Sequence, residues 1–346
     1  MAYTTIDKPT DYFNTVLYSG NSGTQSITGV GFQPDWTWVK RRNGVTSHGL
    51  TDSVRGAGLT LFSDTTQVEQ NYSAYFTSFD SDGFSLAIGG NVYNASGSNY
   101  VAWNWLGGGT ASSNTDGTIT SSVSANTTNG FSIGTYTGNS TSGATVGHSL
   151  SDTPDCIIVR TTSGTDSWQV YHQALGNTSR LELNNTDAKG TSTALWNNTS
   201  PTSSVFSLGN GSVVNSSTRD YVFYAFAEKK GFSKFGSYTG NGSTDGTFVY
   251  TGFKPAWVMY KVTSAANSWV IQDTKRSTTN VMDDYLLAEK VNSEATSSSL
   301  NIDFLSNGFK HRNSSNASNA SGSTYIYMAF AENPFTTSTG IPTTAR

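Results

Sequence analysis

Few residues in this chain are equipped for chemistry, and their neighbours restrict what they could do. The single cysteine, Cys156, lies in the apolar run Cys156-Ile157-Ile158-Val159. There a thiol behaves as a small buried hydrophobe, because a nucleophilic thiolate needs a basic neighbour and a polar, accessible pocket. One cysteine also excludes an intrachain disulfide. No Gly-x-Ser-x-Gly elbow is present, so no strained serine nucleophile of that type is expected. The four histidines, His48, His148, His172 and His311, are not paired at metal-ligand spacing, and His48 and His172 read as partly exposed strand residues. Asp80-Ser81-Asp82-Gly83 starts like a calcium loop but lacks the later oxygen ligands and the distal glutamate; Asp-Gly serves a hairpin turn instead. Asp283-Asp284 reads as part of a solvated loop. The expectation is no catalytic residue, no metal site and no cofactor.

One segment has the chemistry of a ligand contact. Trp196, in Leu195-Trp196-Asn197-Asn198-Thr199-Ser200-Pro201, is a loop aromatic set among amides and hydroxyls. An indole offers a flat face to a sugar ring, and Asn197 and Asn198 offer donors and acceptors to its hydroxyls. The same tryptophan would equally staple the loop onto its own domain. Trp196, Asn197 and Asn198 are the candidate ligand-binding residues, with both roles open. Other tryptophans, such as Trp36 and Trp38, fall in strand-like runs where alternation places them on one face, in a core.

The elements that must position these residues are written three times. Tyr18-Ser19-Gly20-Asn21 recurs as Tyr136-Thr137-Gly138-Asn139 and Tyr238-Thr239-Gly240-Asn241. Each copy then has a proline and an apolar run ending on a cation: Pro34 to Lys40, Pro154 to Arg160, and Pro255 to Lys261. A second strand follows in Ser47 to Asp52, Ser167 to His172 and Ser268 to Asp273. A polar turn then enters an aromatic strand at Phe84, Phe206 and Phe309. Each copy closes on an almost wholly apolar strand: Tyr100 to Trp105, Tyr221 to Phe226 and Tyr325 to Phe330. Such internal self-similarity sets the architecture before any local feature does.

Short β-rich runs between Gly, Asn, Ser and Asp turns predict antiparallel sheets packed face to face. The closing strand, apolar at successive positions, should lie centrally, buried on both faces. The prediction is an all-β protein of three tandem antiparallel β-sandwich domains: residues 1–108 with a short N-terminal segment, 115–230 and 231–335, then a C-terminal tail, 336–346. Units of this size should fold independently. Gly107-Gly108-Gly109 has a flexible-linker composition, whereas the join at Ala227 to Lys234 is short and carries Phe232, so units two and three should be held more rigidly together than one and two. The tail is expected to order only against a partner.

Composition narrows the partners. Charged residues are 13% of the 346 residues, aromatics 12%, and the net charge is −4. Ser, Thr, Asn and Gly fill the space that charge leaves, which suits turn-rich β structure and excludes charge-driven disorder and coiled coil. No Lys/Arg cluster exists to grip nucleic acid. No apolar run approaches the roughly 20 residues of a membrane span, and Met1 to Asp7 carries no export signal.

Three stretches go further. Asn126-Thr127-Thr128-Asn129-Gly130-Phe131-Ser132-Ile133, Trp196-Asn197-Asn198-Thr199-Ser200-Pro201, and Ser323 to Phe335 with its Ala331-Glu332-Asn333-Pro334 resemble a family of repeat-containing virion structural proteins of tailed bacteriophages, of marine and cyanobacterial type. Tyr3-Thr4-Thr5-Ile6-Asp7 and the terminal Gly340 to Arg346 are similar to that family too. The resemblance implies concanavalin-like, jelly-roll or SPRY-like sandwiches and no catalytic motif. It also implies a virion protein, made in the host bacterial cytoplasm and exposed on the particle. Its partners would be other virion proteins, further copies of itself, and a host cell-surface glycan or protein. A tail fibre or fibre tip that attaches to the host is the first role it implies. A capsid decoration or head fibre is the second, and a polysaccharide-degrading enzyme stands as an alternative from another class.

Overall fold

Alternation of apolar side chains along the closing strands organises the whole molecule. A computed structural model describes residues 3–343 and contains three six-stranded antiparallel sheets. From edge to edge the first runs Phe13–Ser19, Asn99–Trp105, Trp36–Arg41, Gly49–Asp52, Leu59–Phe62 and Gln70–Asn71. The third repeats that order with Ser233–Thr239, Thr324–Pro334, Phe253–Val262, Trp269–Asp273, Asp284–Leu287 and Ala295–Thr296. The second keeps the central four as Phe131–Thr137, Asp220–Phe226, Cys156–Thr161 and Gln169–His172, and adds Ser112–Asn114 and Ser121–Asn126 outside Phe131–Thr137. Each closing strand is hydrogen-bonded on both sides, as its composition predicts. Pro34 and Pro154 precede their strands, and Pro255 sits at a register shift, where its missing N–H disturbs no ladder.

Period-2 alternation gives each large sheet two apolar faces. On the outer face, Tyr100 and Ala102, Tyr221 and Phe223, or Tyr325 and Tyr327 pack in separate clusters with a small sheet containing Phe84, Phe206 or Phe309. On the inner face, Val101, Trp103 and Trp105 join Val222, Tyr224 and Phe226 and then Ile326, Met328 and Phe330 in one cluster common to all three repeats. The aromatic contacts cross every junction. Trp36 stacks on Tyr224 at 4.3 Å between centroids, Phe226 lies 5.9 Å from Phe330, and Phe13 stacks on Phe330 at 5.0 Å.

Hydrogen bonds close the same circuit. The loop after the fifth strand of one repeat lies across the next: Glu69 N–H donates to Thr162, Lys189 to Thr263, and Glu294 back to Arg42. The cations that end the proline strands are fully buried and turn the same way. Arg160 donates to the carbonyl of Gln67 at 2.8 Å, Lys261 to Thr186 at 3.3 Å, and Lys40 to Val291 at 3.0 Å. Burial, only partly offset by nearby carboxylates, brings Lys40 and Lys261 down to about 8 and Arg160 to about 10. The repeats are thus related by a pseudo-threefold arrangement in which the third closes onto the first.

This packing corrects the expectation of independently folding units, because the inner face of each large sheet has no cover of its own. Gly107-Gly108-Gly109 is not a loose joint either. Gly107 N–H donates to Asp35 at 2.8 Å and Gly108 N–H to Ser124 at 2.9 Å. A Cβ on Gly108 would stand 2.2 Å from the carbonyl oxygen of Ala125, so only glycine passes there. The described part of the tail, through Thr343, folds back on the chain, with Ser338 N–H donating to Asp7 at 2.6 Å. The last three residues of the expected tail lie outside the described residues.

Trp36→Ala tests the shared core. It should cost about 3–5 kcal/mol, the usual range for emptying a buried aromatic site. Urea unfolding followed through tryptophans of repeats 1 and 3 should shift as one transition, since both line one core.

Candidate functional site

The junctions between repeats hold the polar chemistry. At the end of the fourth strand, Asp52-Ser53-Val54-Arg55 and Asp273-Thr274-Lys275-Arg276 make the same turn, in which the aspartate accepts from two backbone N–H groups and from the arginine Nε. Each carboxylate also receives a donor from the following repeat in the ring: Tyr224 Oη at 2.7 Å on Asp52, and Trp103 Nε1 at 3.1 Å on Asp273. Arg55 continues to Glu69 at 2.6 Å and Arg276 to Glu294 at 3.1 Å. Burial opposes the charge on Arg55, but Asp52, Tyr224 and Glu69 outweigh it and hold the guanidinium protonated.

The second repeat substitutes His172 and Leu175 for the aspartate and arginine. His172 Nδ1 accepts from Ala174 N–H at 3.2 Å, so Nε2 donates to the carbonyl of Tyr327 at 3.1 Å. Its neighbour from the following repeat is Met328, which lacks a hydrogen to donate, and the two line a small enclosed space with Cys156. Both histidines expected to be partly exposed are buried, His48 fully and His172 to 2% exposure. Burial lowers His172 to about 4 and His311 to about 3, and pushes the Cys156 thiol upward.

Between repeats 1 and 2 lies a cleft of about 510 Å³, floored by Arg55 and Glu69 and walled by Thr135, Thr137 and the added strands at Ser113 and Ser122. Arg42 binds Glu294 through both carboxylate oxygens across the junction of repeats 3 and 1, whereas the equivalent positions at the other two junctions are Thr162 and Thr263; the added strands of repeat 2 form the further wall of the cleft. Two carboxylates line the cleft, Glu69 in its ion pair with Arg55 and Asp220, which accepts from Thr137 Oγ1 at 2.7 Å. The rest of the lining mixes hydroxyl side chains such as Ser113, Ser122 and Thr135 with apolar Val54 and Leu59 and with Tyr136 and Tyr221, a surface that can both pack against and exchange hydrogen bonds with a polyhydroxylated or peptide ligand.

The segment singled out by sequence lies elsewhere. Trp196 is 2% exposed, at the end of the short helix Thr193–Trp196, edge-on to Tyr171 at 5.8 Å. Its ring staples the segment to the core of the second repeat and offers no face to a sugar. Asn197 and Asn198 follow in left-handed conformation, with Asn197 Oδ1 accepting from Ser142. Asp80-Ser81-Asp82-Gly83 closes a hairpin, and Asp82 accepts from Gly29 and Gly31 N–H groups. Among the described residues, no group of three His, Cys, Asp or Glu side chains is placed to hold a metal. The cleft residues Arg55, Glu69 and Asp220 were not singled out. The one available signal was the Asp-x-x-Arg turn shared by repeats 1 and 3.

Residues 8–334 match a family model described as Domain of unknown function (DUF7483). No curated protein and no solved structure matches the chain.

Arg55→Met should destabilise the protein by about 3–5 kcal/mol, since it strands Asp52 in the interior without its cation; a shift in the urea midpoint measures this. Histidine burial makes a second prediction. His311 binds a proton only below about 3 when folded, but near 6.5 when unfolded. The unfolded chain therefore gains protons first as pH falls from 6.5, and stability declines by about 1.4 kcal/mol per pH unit for that histidine. Unfolding curves from pH 7 to 4 should show this slope reduced by that amount in His311→Phe, with no difference in slope above pH 7.

Proposed function

The chain belongs to the DUF7483 family, and we propose that it is a non-enzymatic structural protein of a bacteriophage virion, a tail fibre or fibre-tip component that engages the host surface. The observation that carries this reading is the cleft between repeats 1 and 2, with its mixed hydroxyl and apolar lining, set in a body whose three repeats brace one another. Such a body holds a binding surface in fixed geometry without spending binding free energy on ordering it. A partner rich in hydroxyls or backbone amides, a host glycan or surface protein, suits the walls. The small sheet against each large one supports sandwich repeats of the jelly-roll or concanavalin-like kind. Other virion proteins and further copies of the chain are the partners on the particle, which is also its location.

The two carboxylates of the cleft favour a second reading, glycoside hydrolysis, which uses a carboxylate pair flanking the scissile bond. Against it, Glu69 already engages Arg55 at 2.6 Å.

Imaging of virions carrying a labelled copy should place the label at the tail tip; a label distributed over the head would replace tail fibre with capsid decoration. Purified protein incubated with host polysaccharide should release no reducing ends. Release that disappears in Glu69→Gln would overturn the non-enzymatic reading.

A further inference from the structure

The repeats also differ on the outer face of one small sheet. In each repeat an edge strand sets one apolar residue opposite the equivalent phenylalanine: Ile27 opposite Phe84, Val146 opposite Phe206 and Val249 opposite Phe309. The residues flanking it point away from the core. They are Ser26 and Thr28 in repeat 1, Thr145 and Gly147 in repeat 2, but Phe248 and Tyr250 in repeat 3. Phe248 is 43% exposed and Tyr250 56%. Core packing does not call for either ring, since Val249 between them supplies the buried contact.

We infer that this face of repeat 3 is a binding platform for a neutral polysaccharide. Two rings two residues apart on a strand stand about 7 Å from each other, so neighbouring sugars of an extended chain can each meet one. The Phe248 ring leans over Gly308, where an added Cβ would come within 3.0 Å of its Cε2; glycine thus lets it lie against the sheet with its other face outward. The platform continues from Tyr250 to Tyr3, whose hydroxyls are 3.5 Å apart, and on to the exposed Phe335, edge-on to Tyr3 at 6.2 Å.

Charge decides the ligand class. Beside Phe248 on the neighbouring strand stands Lys310, paired with Asp245 at 2.6 Å, and beyond it Arg312 reaches Asp245 at 3.3 Å and Asp303 at 2.8 Å. Around Phe248 and Tyr250 these two cations and two carboxylates cancel, so that end of the platform offers donors and acceptors without net charge, while at the other end Lys230 lies over the Tyr3 ring at 4.4 Å. That complements a neutral sugar, with apolar C–H faces and a rim of hydroxyls. An acidic glycan would meet Asp245, the most exposed of the four. A dry protein interface would leave these ion pairs to be desolvated.

The inference rests on the host-glycan partner of the proposed function and adds the site and the ligand class. Affinity electrophoresis of the full chain in gels cast with dextran, galactomannan or mixed-linkage β-glucan tests it. At least one gel should retard the protein, and Phe248→Ala/Tyr250→Ala should weaken the apparent affinity at least tenfold with unchanged melting. Ser122→Trp, which fills the cleft, should leave retardation intact. Retardation lost in Ser122→Trp but kept in the double variant would overturn the platform while sustaining a glycan-binding cleft. No retardation in any gel would overturn the platform too, and virion imaging still judges the attachment role. A dimer by light scattering that the double variant converts to monomer would also overturn it, by assigning the face to a second copy.

Discussion

Burial of the inner faces of the three large sheets is the constraint on which everything else depends. Each large sheet is apolar on both sides, and in each repeat a small sheet packs against the outer side. Three inner faces are left, and they can be removed from water only against one another. Trp36, Trp105 and Trp257 meet there with Phe226 and Phe330. A buried aromatic of 150–250 Å² contributes about 4–6 kcal/mol at 25 cal/mol per Å². The indole N–H groups of those three tryptophans have no acceptor among the described residues, and each such loss costs about 1–3 kcal/mol. Area burial outweighs it, so the axis is apolar and the ring closes.

The polar groups around that axis are coupled across repeats. Where a junction presents an aspartate, the following repeat brings a donor: Tyr224 to Asp52 and Trp103 to Asp273. Where it presents His172, whose Nε2 hydrogen goes to a backbone carbonyl, the following repeat brings Met328, and Leu175 replaces the arginine that would need a carboxylate. A carboxylate facing methionine, or an arginine facing histidine, would leave an uncompensated buried charge. Residues at these positions must therefore change together although they lie far apart along the chain.

That coupling explains which parts of the architecture were legible. The repeats, the central closing strands and the buried thiol follow from local apolar pattern, and the structure has them where pattern puts them. A strand buried on both faces reads the same whether its second cover is its own small sheet or another repeat, so the common core was invisible and the units looked separable. Gly107 to Gly109 looked like a linker because composition does not reveal that Gly108 is needed for close approach to Ala125. Trp196 looked like a loop residue because a one-turn helix, capped by Ser192 and ended by Asn197 in left-handed conformation, has too little period to detect. The cleft was out of reach, since its walls come from two repeats that lie far apart along the chain.

Threefold repetition also shapes where new surfaces can arise. The inner faces are tied to two neighbours each, and a change there disturbs two junctions. Loop ends and outer small-sheet faces are tied to one repeat, so they diverge freely. Arg42 spans one junction to Glu294 where the other two have Thr162 and Thr263, and Phe248 and Tyr250 replace the hydroxyl side chains that repeat 1 keeps. In repeat 2 the equivalent edge is occupied from within: Ile119 bridges to Val146, and Thr118 N–H donates to Thr145. Among the described residues repeat 3 has no such segment, and its edge strand carries exposed rings. Both departures lie outside the common core, which is why a body so strongly constrained along its axis can still hold surfaces that none of its other copies share.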